Sequence, residues 1–213
     1  AHSIRNPFTS VQMRLFSLKR SLEMDSVQQE DFDVIAEEIR HIDTIVQNFL
    51  EFSRTPKMKI QTISPSTIVD NTLQLLKHRL NSYEVKVVHI RKTPLPEVNA
   101  DPEQIKEVLV NIIINACEVM TAGGSITISE ELAEGPGGPS AAIRLSDDGP
   151  GMSATVRKKV FDPFFTTKEE GTGLGLAIVK RIIEEHGGDV VLTASQGSGT
   201  TFIVKLPVKG ETC

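Results

Sequence analysis

Ile4, Phe8, Val11, Leu15, Leu18 and Leu22 follow one another at alternating spacings of four and three, and Phe32, Ile35, Ile39, Ile42, Val46 and Phe49 do so in the opposite order. Apolar residues that recur every three and a half positions share one face only in an α-helix, so this stretch has little else to become. The polar residues from Glu23 to Asp31 part the two seams, which suits antiparallel helices joined by a loop. Ile45, Leu50 and Phe52 widen the second stripe beyond what one partner helix covers. A lone hairpin cannot bury that surface, whereas two copies form a four-helix bundle. Residues 1–55 are therefore predicted to be an all-α hairpin that makes a homodimer.

His2 stands two positions before the first seam residue, on the solvent side, and Pro7 removes the helical bond to the carbonyl of Ser3. A neutral imidazole exposed beside a bend is an available nucleophile. An incidental surface histidine would look the same from these residues alone.

The net charge of −5 offers no basic face, which argues against nucleic acid as a partner. Cys117 and Cys213 lack metal-type spacing, and Cys117 falls in an apolar helix pattern, as expected of a reduced core residue in a cytoplasmic protein. No apolar run approaches a membrane span. The chain opens inside a helical pattern, so the expectation is a piece of something longer, with any membrane attachment upstream.

Beyond the hairpin the pattern changes. Residues 56–60 read as a linker, 61–208 as a second domain and 209–213 as a tail. Lys59 to Ile63 is predicted as an edge strand, and Ser64-Pro65 as the cap and first position of a helix with Val69, Leu73, Leu76 and Leu80 on one face. Val85 to Ile90 is rich in β-formers. Asp101-Pro102-Glu103-Gln104 starts another helix, whose core stripe is Ile105, Val108, Leu109, Ile112, Ala116 and Val119. Strands are expected over 125–130, 141–147, 190–194 and 201–206, the last two joined through Gln196-Gly197-Ser198-Gly199 as a hairpin. Strands interleaved with helices but without a regular βαβ repeat suggest an α+β sandwich, a mixed sheet with helices on one face.

Chemistry concentrates in 111–175. Glu107, Asn111 and Asn115 follow at four-residue steps and so face one way. Asparagine is a poor mid-helix residue, and its carbonyl oxygen is a reasonable Mg2+ ligand. A solvated polar face would give the same spacing. Asp147 shares parity with Ile143 and Leu145, so a strand there aims a carboxylate at the buried face. Gly149 and Gly151 let backbone approach a flat ligand whose exocyclic amine would satisfy that carboxylate. Gly173 and Gly175 open a helix, whose free N–H groups and positive dipole end attract phosphate. Thr200, after the second hairpin turn, is a further candidate phosphate contact.

These residues resemble bacterial sensor histidine kinases of two-component systems over nearly the whole chain. His2-Ser3-Ile4-Arg5-Asn6-Pro7 looks like the H box, Asn111 to Ala116 the N box, and Asp147-Asp148-Gly149-Pro150-Gly151 the first glycine box. Phe161-Asp162-Pro163-Phe164-Phe165 looks like the F box and Gly171-Thr172-Gly173-Leu174-Gly175-Leu176 the second glycine box, with Gly197-Ser198-Gly199-Thr200 a weaker third. Asn-Ala-Cys-Glu-Val-Met and Phe-Thr-Thr-Lys are most similar to the nitrogen-regulation type. The resemblance implies a dimerisation and phosphotransfer hairpin followed by an ATP-binding domain of the GHKL type. It implies that Asp147 holds the adenine amine, that Asn115 ligates Mg2+ with Asn111 supporting the phosphates, and that residues 152–172 form a lid. Lys168 and the backbone of Gly171, Thr172, Gly173, Leu174 and Gly175 would meet the phosphates. His2 would accept the γ-phosphoryl group of ATP and pass it to an aspartate of a response regulator, while Asn6 implies phosphatase activity on that regulator.

One position departs from the family. An acidic residue usually follows the histidine and takes its proton, and Ser3 is no useful base near neutral pH. Two alternatives follow. A gyrase-like ATP hydrolase needs a carboxylate one turn before the Mg2+ asparagine, where this chain has Asn111. A nucleotide-binding scaffold that transfers nothing is the other, and Ser3 keeps it open.

Overall fold

A computed structural model describes residues 2–22, 25–53, 57–134, 138–168 and 171–208, with backbone alone at 2–9, 12, 41, 44–45 and 47–53. The chain divides into two compact units, residues 1–56 with 166–174, and 57–165 with 175–213.

The first unit is built on α1 (His2–Ser21) and α2 (Ser26–Ser53), which pack along each other. α2 begins inside the stretch expected to be loop. Asp25 accepts from Gln28 N (2.8 Å) while Gln28 Oε1 accepts from Asp25 N (3.2 Å), a reciprocal cap that satisfies first-turn donors and draws the helix back to Ser26. The hairpin covers only part of its seam: Val11, Leu18, Ile35 and Ile42 keep 43–48% of their surface.

In the second unit, α3 (Pro65–Ser82), α4 (Pro102–Val119) and α6 (Gly175–Glu185) lie on one face of a five-stranded sheet. Its order is β2 (Val85–Arg91), β4 (Gly124–Ala133), β5 (Ser140–Asp147), β7 (Thr200–Pro207), β6 (Asp189–Ala194). β2 and β4 run parallel and the other pairs antiparallel, so the sheet is mixed, as expected. Alternate residues Ile126, Ile128, Ile143, Leu145, Phe202, Val204 and Leu206 are buried with Val69, Ile105, Leu109, Ile112, Ile113, Val179, Ile182 and Ile183 of the helices. Cys117 lies in this core as a free thiol, and burial raises its pKa. Among the described residues no helix is long and apolar enough to cross a membrane.

Both predicted caps form. Ser64 Oγ accepts from Thr67 N, and Asp101 Oδ1 from Glu103 N and Gln104 N. Asp101 does more: its Oδ2 accepts Lys59 N at 2.8 Å, and its own N–H donates to His186 Nε2 at 2.9 Å. His186 Nδ1 lies 2.7 Å from the Ile182 carbonyl, so the buried ring is the neutral Nδ1–H tautomer, with Nε2 as acceptor.

Three expectations are corrected. The predicted edge strand is β1 (Gln61–Ile63), which pairs with β3 (Val98–Ala100) in a separate two-stranded sheet and not with the large one. Within residues 152–172, expected to form a lid, lies a helix not foreseen there: Ser153 caps α5 (Ala154–Lys159). Val119 is 38% exposed, since α4 turns it out of the core beside Asn115.

A buried carboxylate ties β2 and β4 to α3. Glu130, with no side-chain exposure, accepts from Arg91 Nε (2.9 Å), His89 Nε2 (2.7 Å) and the Ser66 hydroxyl, and Arg91 also grips both oxygens of Asp70. Burial alone would raise the Glu130 pKa, but the bonds from Arg91, Ser66 and His89 outweigh it and hold the carboxyl below its ordinary value. Glu130→Ala leaves Arg91 on Asp70 and the Ser66 carbonyl but removes the partner of His89 Nε2 and of the Ser66 hydroxyl, and is expected to cost about 1–3 kcal/mol in urea denaturation at pH 7.

Candidate functional site

Asp147 is the last residue of β5, paired with Ile126 on one side and Thr200 on the other. The same parity that buries Ile143 and Leu145 brings its carboxylate to the helix-covered face, where it is half-buried. Its Oδ1 accepts from Gly149 N at 3.0 Å and Thr200 N at 3.1 Å. Desolvation dominates and raises the pKa; these two bonds oppose it, and Asp148 adds repulsion. Asp148 turns the other way: its Oδ1 accepts Ser125 N at 2.8 Å and pins the loop to β4. Of the adjacent acids, only Asp147 is therefore turned to the helix-covered face.

The loop after Asp147 is held by the β6–β7 turn. Gly197 N donates to Pro150 O at 2.7 Å and Gly199 N to Gly149 O at 3.0 Å. A Cβ on Gly199 would stand 2.0 Å from Asp147 O, and one on Gly151 1.9 Å from Ser195 O, both at left-handed φ (+73° and +69°). The third glycine box thus acts as a backbone clamp. Thr200, predicted near phosphate, is buried here beside Asp147, with its N–H on the carboxylate.

Along α4 the predicted asparagine stripe runs between two glycine elements. The position a Cβ would take on Gly175 is 3.3 Å from Asn111 Oδ1, and that on Gly149 is 3.2 Å from Met120 Cγ and 3.5 Å from Val119 Cγ2. Asn111 to Val119 is two turns, or roughly 12 Å of helix. Half-buried Asn111 and Asn115 lie between the carboxylate loop and the first residue of α6. Val119 and Met120 form an apolar wall near Asp147 that sequence reasoning missed. The four-residue step from Asn115 to Val119 was the signal. Among the described residues no group of three His, Cys, Asp or Glu could hold a metal.

Phe164 takes φ +65°, rare without glycine, in the turn closed by Phe165 N on Asp162 O (3.2 Å). Residues 166–174 group with the other unit. There Thr166 Oγ1 accepts Lys168 N (3.0 Å), Gly171 N donates to Lys168 O (3.3 Å), and Gly173 has φ +66°. Gly171, Thr172 and Gly173 are half-buried and Leu174 is buried. The structure thus joins Asp147, Gly149, Gly151 and Thr200 in one cluster and Asn111 with Gly175 in another. His2, Ser3 and Asn6 lie in the first two turns of α1, and their side chains are outside the described residues.

The Histidine kinase-, DNA gyrase B-, and HSP90-like ATPase family matches residues 100–210, just over half of the chain, and the His Kinase A (phospho-acceptor) domain matches residues 1–56. The signal transduction histidine-protein kinase AtoS of Escherichia coli (strain K12) is 38% identical over 212 residues, covering 99% of this chain and 34% of its own length. The sensor histidine kinase ZraS of the same strain is 33% identical, covering 98% and 44%. The chain therefore spans between a third and a half of these relatives. The histidine kinase ThkA, crystallised with the response regulator protein TrrA, aligns over 100% of this chain and 61% of its own at 26% identity and a TM-score of 0.72. The order of boxes, the glycine-clamped carboxylate and these matches agree: the chain belongs to the histidine kinase-, DNA gyrase B- and HSP90-like ATPase family and carries the ATP-binding catalytic core of a sensor histidine kinase.

Proposed function

We propose that the chain is an ATP-dependent protein-histidine kinase in which His2 takes the γ-phosphoryl group and passes it to an aspartate of a response regulator. The observation that carries the reading is Asp147, whose Oδ1 is held by two N–H groups while its other oxygen remains for the exocyclic amine of a purine. Gly149 leaves room for the ring against Met120, whereas Gly151, expected to do the same, is glycine because the Ser195 carbonyl fills the place of its Cβ. Gly173 and Gly175 would bring backbone N–H groups to the phosphates, with Lys168 a further contact, and α6 adds its dipole. The amide oxygen of Asn115, supported by Asn111, would hold Mg2+, which suits a metal that shares its ligands with substrate phosphates. Mg2+ would neutralise the charge that develops on the β- and γ-oxygens.

In transfer, a ring nitrogen of His2 forms the N–P bond, the bond from the γ-phosphorus to the bridging oxygen breaks, and ADP leaves with that electron pair. The other ring nitrogen then loses its N–H proton to solvent water, since Ser3 is no base to receive it. A nucleotide-binding scaffold is the second reading, and Ser3 is the observation that favours it. Incubation with γ-labelled ATP decides: acid-labile, base-stable label that His2→Ala abolishes is the expected result, and retained ATP binding without label establishes the scaffold. Ser3→Glu is expected to raise the labelling rate on the order of 10²-fold.

The exposed seam residues Val11, Leu18, Ile35 and Ile42 support a homodimer through the hairpin. Sedimentation equilibrium should return twice the chain mass, and Ile35→Glu with Ile42→Glu should return the monomer.

A further inference from the structure

The sheet ends at β6, whose outer edge α5 caps at Ala194 and flanks across a groove at Val190 to Leu192. Thr200 pairs with Asp147 on one side and Ala194 on the other, and its N–H points to the β5 side. Main-chain groups alternate along a strand, so Thr201 and Ile203 face β6 and meet Thr193 and Val191. Val190, Leu192 and Ala194 are left facing outward. The contact made by Ala194 agrees, since its carbonyl accepts Arg157 NH1 of α5 at 2.9 Å. Lysine and proline, which blunt many sheet edges, are absent from β6, whose one charge is Asp189 at its first residue, before the Val190 to Leu192 stretch that borders the groove.

What borders the edge is a groove of about 460 Å³, walled by Val190, Val191 and Leu192 on one side and by Arg157, Lys158 and Phe161 on the other. Lys180 Nζ sits 5.9 Å from the centre of the Phe161 ring. Among the described residues no acid lines the groove, in a chain whose net charge is −5. We propose that this groove docks an extended acidic segment of a partner protein, added to β6 as a further strand. The N–H and C=O groups of Val190 and Leu192 pair with its backbone, and its apolar side chains meet Phe161 and Val191. Arg157 and Lys158 select its carboxylates. The proposal is independent of the kinase reading.

The test uses the full chain, 15N-labelled, and a blocked hexapeptide alternating Asp and Val. Shifts in the amides of Val190 and Leu192 and in α5 are expected, with affinity falling as salt rises. N-methylating alternate peptide amides removes the pairing donors without touching the protein and should weaken binding at least about tenfold. Lys158→Glu should weaken it about fivefold. Equal binding by the N-methylated peptide, equal binding by a Lys/Val counterpart, or shifts confined to other regions would each overturn the proposal. So would edge shifts that grow with protein concentration alone, which would assign the groove to a second copy.

Discussion

Asp147→Asn is expected to weaken adenine-nucleotide binding by roughly 10- to 150-fold, the equivalent of one charge-assisted hydrogen bond of about 1.5–3 kcal/mol, in calorimetric titration at pH 7. The same substitution should stabilise the fold. Burial raises the pKa of Asp147, so its protonated form suits the folded state better than its charge does. A carboxyl raised in this way contributes most below its unfolded pKa, about 3.9, and that contribution is lost as pH rises through the folded value. The variant has no charge to bury, while its amide oxygen can still accept from Gly149 and Thr200. Its thermal midpoint should therefore exceed the parent's at pH 7, with the gap closing towards pH 3. A variant that loses both binding and stability would mean that the Asp147 charge holds the loop together, against the ligand-facing role assigned to it.

Gly199→Ala is expected to cost at least about 3 kcal/mol and to remove nucleotide binding with it. Two penalties coincide there: the left-handed φ of +73°, and a methyl carbon placed 2.0 Å from the backbone oxygen of Asp147. Because the obstacle is main chain, relief requires moving Asp147 itself. Gly197→Ala supplies the internal comparison, with φ +79° but nothing within 4 Å, so only the conformational strain of about 1–2 kcal/mol applies. Denaturation of the two variants side by side separates the clash from the strain. Equal losses would show that the approach of Gly199 to Asp147 is not a tight one.

Much of the site was legible because its determinants are local. Parity along β5 placed Asp147, the four-residue step on α4 aligned Asn111 with Asn115, and Asp101-Pro102 and Ser64-Pro65 announced their helices. What escaped depends on partners distant in sequence. Val98–Ala100 is a strand only because Gln61–Ile63, whose strand was expected, lies against it, and a three-residue run is too short to declare itself by alternation. α5 buries no side chain and so shows no apolar stripe, while its Ser153 cap resembles any serine in a loop. Val119 looked like core because it is apolar at the end of an apolar helix. Its true register was set by the asparagines before it. Gly197 and Gly199 read as a plain hairpin turn, since nothing local reveals that the turn rests on the backbone of Asp147 to Gly151.

The bond from Lys59 N to the Asp101 carboxylate gives the ATP-binding unit a defined load point. Any tug on the chain where it enters at residue 57 reaches that carboxylate within three residues. There it falls on the first turn of the helix that bears Asn111 and Asn115, ahead of any strand of the large sheet. The neutral ring of His186 braces the same spot from the end of α6, the helix that starts at Gly175. Strain arriving along the backbone is thus shared at once between the two rods that meet again where the start of α6 at Gly175 approaches Asn111 in the middle of α4.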